Sequence, residues 1–581
     1  MKNIKGINRL NLVFSIIIII CLIIVVFGNA NFSKSEAKMS NAETSIDDAT
    51  RKDIYNVLWQ KDTANWPSGL PQELTEEKLN KIGPEALGKE TTIMLQDVKT
   101  AILPLVQRYP VRYDQLSDVS RQGLTTRQAY NIGDLMGLDY FKGYAGMKSI
   151  KALEFPRDYS SHNDFQVGWY FFASSLKDQN GNDVDLLVNF FRRAIYPPDI
   201  AQKMGLSEMD NQIVELQIGL SLSDKDLHIQ GANPIISGKT GLIDFETQPF
   251  LIKMGNNEVK SINNDSLFPL SVKVYDPEKD LNIELMLEQT KPLFLEGDNG
   301  KVPSMYNLGT WYYSVPNIKT SGTINYAGDK REVSGKTWFD NQWTAGVMPA
   351  GYPDNYYIRA LSNILNWSKN KTPEPWGWDW IEVQLDNNIE ITLADMHSVH
   401  SKVLNNTGEN PPAEAKKDAF GKLINTDGKA ENISGFITVD KWVRSDVSGA
   451  WYPNSWKVEV PEKNIIFTMT PTVSKQILQG AAASEFREGG VVVAGKMGDK
   501  DITGIGFGEG TGYAGEDYYN KTKFNILGIE NNSENVKIFE APVPGTWLAI
   551  QSITLYVISL IGVIWILIYL YCFLFKRHSN K

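Results

Sequence analysis

Residues Gln212–Leu222 read QIVELQIGLSL, with an apolar side chain at every second position. A period of two is typical of a β-strand that buries one face. The same pattern recurs in Leu281–Leu287 (LNIELML) and in Ile465–Thr470 (IIFTMT). Short runs of this kind, separated by Gly, Asn and Asp, continue from about residue 151 to about residue 540. The sequence therefore predicts a mainly β body built as a sandwich or barrel.

The β region contains two segments with similar opening and closing motifs. The first opens on Trp169 and closes on GKTWFD, which ends at Asp340. The second opens on Trp378 and closes on GIGFGE, which ends at Glu509. Both closings read Gly-x-x-aromatic-x-acid, and a leucine follows each opening tryptophan by seven positions. These matches predict two similar barrels in tandem, residues 151–350 and 351–540, with a chance match of short motifs as the alternative.

The C-terminal segment is apolar enough to cross a membrane. From Trp547 to Phe575 the chain has no charged residue, and Lys576, Arg577 and Lys581 follow directly. A helix of this length spans a hydrocarbon core of roughly 30 Å. By the positive-inside rule, residues 576–581 form a cytoplasmic tail. We therefore expect a transmembrane helix over residues 547–575 in the cell membrane, with the main body extracytoplasmic.

The N-terminal segment also indicates export. Basic residues precede the apolar run Leu12–Phe27, and Gly28-Asn29-Ala30 offers a small-x-small cleavage site. Residues 1–30 are therefore either a signal peptide or an uncleaved membrane anchor. Residues 31–50 are polar and are predicted to be a linker. Helix-start signals at Ser45 and Pro84 predict a helical module over residues 51–150, without indicating its role.

Composition excludes several classes of site. The net charge of -10 argues against nucleic acid as a partner. Both cysteines, Cys21 and Cys572, lie in the apolar end segments, so the body has no disulfide and no thiolate metal site. His397 and His400 with nearby Asp395 resemble a metal site, but residues three apart on a strand point to opposite faces. We therefore expect no metal and no cofactor.

Several segments resemble one family of lipocalin-like proteins. They are EFPRDYSSHNDFQVGWYFFASSL, WYYSVPNIKTSGTI, VSGKTWFDNQW, WGWDWIEVQL and GIGFGEGTGY. In this order they are similar to the carotenoid 1,2-hydratase (hydroxyneurosporene synthase) and AttH-type family, over about residues 151–540. The resemblance implies two lipocalin-like β-barrels side by side. It also implies that an acid in a Trp-x-Asp segment protonates an isoprenoid double bond, and here that acid is Asp340.

The sequence departs from the family pattern at two places. The opening motif usually reads Glu-Trp-Trp-Tyr, whereas this chain has Val167-Gly168-Trp169-Tyr170 and lacks the acid. Carotenoid hydratases carry His-x-Trp before the Trp-x-Asp segment, where this chain has Trp311-Tyr312-Tyr313. These departures concern the hydratase activity and leave the implied fold unchanged.

Asp340 is the candidate catalytic residue. An apolar surround disfavours an ionised carboxyl group and so raises its pKa, which acid catalysis near neutral pH requires. Aromatic faces can stabilise the resulting carbocation. We therefore expect an apolar substrate to be bound by Trp338, Trp343, Tyr312, Tyr313 and Trp169. His162 matches the entry histidine of the family, so the resemblance implies a polar contact to the substrate there; a hydrogen-bonded structural histidine is the alternative. The alternative is that Asp340 accepts structural hydrogen bonds at a strand end.

Two further positions have structural interpretations. Glu509 lies between glycines, which indicates a turn or barrel-closure residue. Trp376, Trp378 and Trp380 alternate, and we expect their shared face to be barrel core.

Three functions remain open. The body is an acid-catalysed hydratase or isomerase working through Asp340, a non-catalytic carrier of a hydrophobic small molecule or lipid, or a scaffold whose helical module binds an unknown protein partner. Fold resemblance alone does not decide among these functions.

Overall fold

The computed structural model describes twelve stretches of the chain. They are residues 144–194, 198–203, 206–238, 241–302, 310–344, 360–361, 364–365, 376–398, 407–413, 416–480, 485–514 and 546–578. The predicted N-terminal export segment, the linker and almost all of the helical module lie outside these residues. The described part is mainly β, as the sequence predicts.

The first half is one antiparallel sheet that curls around a core. Its strands are β1 (Val167–Asp178), β2 (Asp183–Ala194), β3 (Gln212–Leu222), β4 (Leu227–Gln230), β5 (Ile235–Ser237), β6 (Ile243–Thr247), β7 (Phe250–Met254), β8 (Asn257–Ser261), β9 (Leu270–Asp276), β10 (Leu281–Gln289), β11 (Phe294–Leu295), β12 (Lys301–Val302), β13 (Thr310–Tyr326) and β14 (Asp329–Thr344). The main path of hydrogen-bonded strands runs β4-β3-β2-β1-β14-β13-β10-β9-β8-β7-β6. A short helix, α1 (Pro198–Lys203), connects β2 to β3.

The second half is a closed barrel of eight strands with one short additional strand. Its strands are β15 (Trp376–Leu385), β16 (Glu390–Ser398), β17 (Lys416–Ile424), β18 (Ala430–Arg444), β19 (Trp451–Val460), β20 (Ile465–Pro471), β21 (Ile477–Gln479), β22 (Glu485–Met497) and β23 (Lys500–Thr511). The barrel closes because β20 pairs with β22 as well as with β19. The fold is therefore the expected tandem lipocalin-like arrangement, with one curled half-barrel and one closed barrel.

Each half has its own opening and closing strands, at the positions that the repeated motifs indicated. In the first half the opening strand β1 pairs with the closing strand β14, and in the second β15 pairs with β23. Asp340 lies opposite Phe171 in the first pair, and Glu509 lies opposite Trp380 in the second. Glu509 is thus within a closing strand and not in a turn, because β23 continues to Thr511.

Both cores are filled by side chains. The first contains a run of stacked rings, among them Tyr170, Phe172 and Phe339, together with aliphatic residues from most strands. The second is mainly aliphatic around the fully buried Trp456. A Cβ added at Gly508 would lie 2.6 Å from the Trp456 ring, so even this glycine leaves no free volume. Eight-stranded barrels often have interiors just wide enough for side chains, and this one follows that rule.

Trp378 and Trp380 of β15 do not belong to the barrel core, and the side chain of Trp376 lies outside the described residues. Ile381, Val383 and Leu385 point inward, so the alternation of the strand directs Trp378 and Trp380 to the opposite face. The sequence-based expectation of barrel core is therefore wrong for Trp378 and Trp380. They pack instead with residues of the first half.

The described C-terminal segment is one long helix, α2 (Thr546–His578). Within it, Ala549–Tyr569 has a mean hydropathy of 2.3 and is long enough to cross a membrane, by length and composition only. Most of its apolar side chains, such as Leu560 and Ile566, are exposed, whereas a core helix would bury them. The segment is therefore a candidate membrane span.

Candidate active site between the two halves

The outer face of the first sheet carries a row of polar side chains that the second half covers. Antiparallel pairing places Gln217, Asn189, Phe171, Asp340 and Ser314 side by side across β3, β2, β1, β14 and β13. All five side chains are buried, although they point away from the core of their own half. Burial of this row therefore depends on the packing of the two halves.

Asp340 lies at the centre of a hydrogen-bond network within this row. Tyr312 Oη donates to Asp340 Oδ2 at 2.7 Å, and Trp338 Nε1 donates to Oδ1 at 2.7 Å. Ser314 Oγ donates to Oδ1 at 2.5 Å. Burial raises the pKa of Asp340 to about 7, while the three hydrogen bonds act in the opposite direction. The carboxyl group is therefore poised to exchange a proton near neutral pH.

Tyr312 is a fixed donor in this network. Burial, followed by the charge of Asp340, raises the pKa of its phenol well above 10. The phenol stays protonated when Asp340 ionises, so it can stabilise the carboxylate that remains after proton transfer.

Two more buried carboxyl groups surround Asp340. Burial raises the pKa of Glu296 to about 8, with a further contribution from the charge of Asp340 and an opposing one from Lys422. Burial also raises the pKa of Glu382 well above its usual value, again with a contribution from Asp340. Glu296 comes from the first half and Glu382 from strand β15, so the acids around Asp340 belong to both halves.

Aromatic rings from both halves close over Asp340. The ring of Trp380 meets Phe171 at 5.7 Å and Trp338 at 6.4 Å between centroids, both edge to face. Phe294 contacts the other side of Trp338 at 5.8 Å. These rings exclude water from the carboxyl group and present aromatic faces that can stabilise a cation.

The next row of side chains is more exposed. Trp169 and Phe191 stack in parallel with centroids 5.7 Å apart, and both are half-buried. Gln342 beside Trp169 and Trp378 of the second half are also half-buried. Solvent exposure thus increases from the row of Asp340 to this aromatic row, which we call the rim (Trp169, Phe191, Gln342 and Trp378).

The structure separates the residues that the sequence suggested into two groups. Tyr312, Trp338 and Trp169 share the face of Asp340, two of them as its hydrogen-bond donors. Trp343 and Tyr313 lie on the opposite face, in the core of the first half. The period of two in β13 and β14 produces this separation, because neighbouring residues of a strand face opposite sides.

His162 belongs to the core group. Its imidazole stacks on Trp343 with centroids 3.8 Å apart, and its Nε2 lies 3.6 Å from an Asp158 carboxyl oxygen. Burial lowers the pKa of His162 to about 4, with an opposing contribution from Asp158. The imidazole is therefore neutral at pH 7 and acts as a packing residue away from Asp340.

Four functional candidates were not singled out from the sequence: Glu296, Glu382, Glu488 and Asn189. Glu382 does carry a signal, because it is an acid on the face of the alternating run WIEVQL that lies opposite the apolar Ile381 and Val383. An acid in such a run indicates either a solvent-facing position or a buried functional one, and only the packing of the second half decides between them. Within the described stretches, no group of three or more His, Cys, Asp or Glu residues could hold a metal ion.

Comparisons with known proteins identify the family. The AttH-like family model matches residues 147–352 and 365–513, so the chain belongs to the AttH-like family. Among solved structures, a Nitrosomonas europaea protein described as AttH is 23% identical, with 64% of this chain and 99% of that chain covered and a TM-score of 0.48. Kievitone hydratase from Nectria haematococca is 14% identical, with coverage of 63% and 95% and a TM-score of 0.44. CghA is 12% identical, with coverage of 60% and 88% and a TM-score of 0.31. The comparison with curated proteins found no match.

Proposed function

We propose that this AttH-like protein is an acid-catalysed hydratase or isomerase of the carotenoid hydratase type, acting on an apolar isoprenoid or lipid. The observation that carries the proposal is the state of Asp340, which is 3% exposed, holds three hydrogen bonds and has a pKa of about 7. A general acid is most effective when its pKa lies near the working pH.

The proposed reaction begins with proton transfer from Asp340 to one carbon of a substrate double bond. The π electrons form the new C–H bond, and the adjacent carbon becomes a tertiary carbocation. Tyr312 and Trp338 stabilise the Asp340 carboxylate through the hydrogen bonds described above. Rings such as Trp380 stabilise the cation by roughly 0.5–2 kcal/mol each. Water addition then gives an alcohol, and proton loss from a neighbouring carbon gives an isomer.

The composition of the rim favours an apolar substrate. Trp169, Phe191 and Trp378 offer flat apolar surface at the more exposed end of the site, while Gln342 offers an amide. Phe171 lies next to Asp340 in the adjoining, more buried row. A substrate chain lying against the rim would therefore pass Phe171 to reach Asp340. We further propose that the C-terminal helix anchors the chain in the cell membrane with the body outside the cytoplasm. This location would supply lipid-soluble substrates.

The test measures the incorporation of deuterium from the solvent into the substrate or product. Full-length protein in detergent is incubated with squalene, an acyclic isoprenoid with trisubstituted double bonds, in deuterium oxide. We expect deuterium in the substrate or product, and we expect Asp340→Asn to reduce the rate by about 10²–10⁴-fold. Asp244→Asn is the matched control, because Asp244 is an exposed aspartate of the same half.

The variants also separate catalysis from transport. If Asp340→Asn binds squalene normally but no longer incorporates deuterium, Asp340 is the acid. If wild-type protein binds squalene and never exchanges hydrogen, the protein is a carrier of hydrophobic ligands. Unchanged turnover in Asp340→Asn would refute the proposed role of this residue.

A further inference from the structure

A pair of glutamates from the second half lies in the same interface. Glu488 of β22 and Glu509 of β23 are directly opposite each other in the antiparallel register. Side chains opposite each other in such a pair have Cβ atoms about 4.5–5.5 Å apart and share one face of the sheet. Two carboxyl groups at that separation repel each other when both are ionised, so they favour a state in which they share a proton.

The charged groups around this pair do not neutralise it. Arg487, the neighbouring cation, directs its guanidinium to the carbonyl oxygens of Gly489 and Gly508 and to the Trp456 ring. Burial raises the pKa of Glu488 well above its usual value, with a contribution from Glu509 and a smaller opposing one from Arg487. Burial raises the pKa of Glu509 to about 7, with contributions from the charges of Asp340 and Asp379 and an opposing hydrogen bond from Trp378.

The packing of the two halves places the Glu488–Glu509 pair near Asp340. Trp380 is the register partner of Glu509, and its ring contacts Phe171 and Trp338. Phe171 is in turn the register partner of Asp340, and Trp338 donates to its carboxylate. The charge of Asp340 raises the pKa of both glutamates, as expected for groups that face one another across the interface.

Unpaired buried acceptors point to a ligand with O–H groups. Asn189, in the same row as Asp340, is 7% exposed; its amide nitrogen donates to Gln217, but its Oδ1 has no hydrogen-bond partner among the described residues. Glu488 Oε1 and Glu382 Oε2 are likewise buried and without a described hydrogen-bond partner. A buried polar atom without a partner costs free energy, so such atoms are expected to meet a donor in the working protein. Water and hydroxyl groups are donors of this kind.

We propose that Glu509 is the second catalytic residue, which removes a proton from the attacking water, and that Glu488 exchanges that proton with it. This inference rests on the proposed function, because it assigns the base that complements Asp340. The acid would come from the first half and the base from the second, so neither half would be complete alone.

The proton balance of the cycle is closed. Asp340 gives its proton to the alkene and becomes a carboxylate. Water forms a C–O bond to the cation and gives one proton to the Glu509 carboxylate, so the product is the neutral alcohol. The proton then returns to Asp340 through the Glu488–Glu509 pair, so each turnover begins with Asp340 protonated and Glu509 ionised. No oxidant, reductant or further reactant is needed.

The first experiment separates alkene protonation from water addition. Glu509→Gln and Asp340→Asn are assayed with squalene in deuterium oxide, with the exposed Glu332→Gln as control. We expect Glu509→Gln to keep hydrogen exchange into the alkene but to lose alcohol formation by about 10²–10⁴-fold. Asp340→Asn loses both reactions. If Glu509→Gln forms alcohol at the wild-type rate while Asp340→Asn is inactive, the inference fails and the proposed function stands.

A second experiment does not depend on any substrate. Infrared spectroscopy of the full-length protein follows the C=O stretch of protonated carboxyl groups as the pH is raised. We expect one component of this band to be lost near pH 7 in the wild type, in line with the pKa of Glu509, while groups of higher pKa such as Glu296 stay protonated. Glu488→Gln should alter the titration of Glu509, and Asp340→Asn should move it to lower pH, because a repelling charge is removed. If the component that Glu509→Gln removes titrates at the same pH in both variants as in the wild type, the proton-sharing pair is overturned.

Discussion

Replacement of Lys291 by methionine should strongly destabilise the protein, because Lys291 joins the two halves through a buried charge. Its Nζ donates to Glu390 Oε2 at 2.6 Å, to the carbonyl of Asn388 at 2.7 Å and to the carbonyl of Asn425 at 2.9 Å. The Lys291 and Glu390 side chains are only 4% and 0% exposed. Methionine keeps most of the stem volume and removes the charge with all three hydrogen bonds.

The size of the stability loss depends on the Glu390 carboxylate that stays buried after Lys291 is replaced. Among the described residues, Glu390 would keep only the Asn317 amide as a side-chain hydrogen-bond donor, at 2.8 Å. Removing one partner of a buried ion pair costs about 3–5 kcal/mol, since the other charge stays buried without compensation. The exposed pair Lys319–Glu288, with its atoms 3.2 Å apart, provides the matched control. Lys319→Met should cost at most about 1 kcal/mol.

Urea unfolding of the detergent-solubilised chain, followed by tryptophan fluorescence, measures this difference. We expect Lys291→Met to lower the midpoint and to separate the unfolding of the two halves into two transitions. A double variant that also replaces Glu390 by methionine should lose less stability than the sum of the single variants, because it leaves no isolated charge. If Lys291→Met is no less stable than Lys319→Met, the pair does not hold the halves together and the reasoning is wrong.

Two further predictions concern the acids of the interface. Tyr312→Phe removes a hydrogen bond that lowers the pKa of Asp340; the pKa should therefore rise by about one to two units, and the high-pH limb of the activity profile should move to higher pH. A limb that moves to lower pH would contradict the assignment of Asp340 as the acid. Glu296 has a folded pKa of about 8, above its ordinary 4.5, so its contribution to stability is present below about pH 4.5 and is lost as the pH rises to about 8. Glu296→Gln should therefore weaken the loss of stability between those pH values, as measured by urea midpoints, and an unchanged pH dependence would count against it.

The strand pattern was predictable because it depends on local periodicity. The run Gln212–Leu222 forms β3 with the same bounds, and Leu281–Leu287 lies within β10. The paired opening and closing strands of each half also follow the repeated motifs. Such features need only the alternation of side chains and the turns between strands.

The location of the site could not be predicted, because it depends on the packing of one half against the other. In β3 the alternate polar residues Glu215, Gln217 and Ser221 are typical, by sequence, of a solvent-facing side of a strand. They are nevertheless 1%, 8% and 2% exposed, and Gln476 of the second half donates to the Ser221 hydroxyl. The same ambiguity placed Trp343 and Tyr313 with Asp340 in the sequence-based site, although the strand directs them into the core.

The tandem arrangement itself creates the buried environment that the proposed acid needs. Phe339 and its neighbours fill the core of the first half, so Asp340 on the opposite face would be solvated if that half stood alone. A solvated carboxyl group has a pKa near 3.9 and is almost fully ionised at neutral pH. Trp380 and the rest of the second half remove that solvent, and burial is the largest cause of the raised pKa of Asp340. The second half is therefore needed to keep the proposed acid protonated, whether or not it also provides the base.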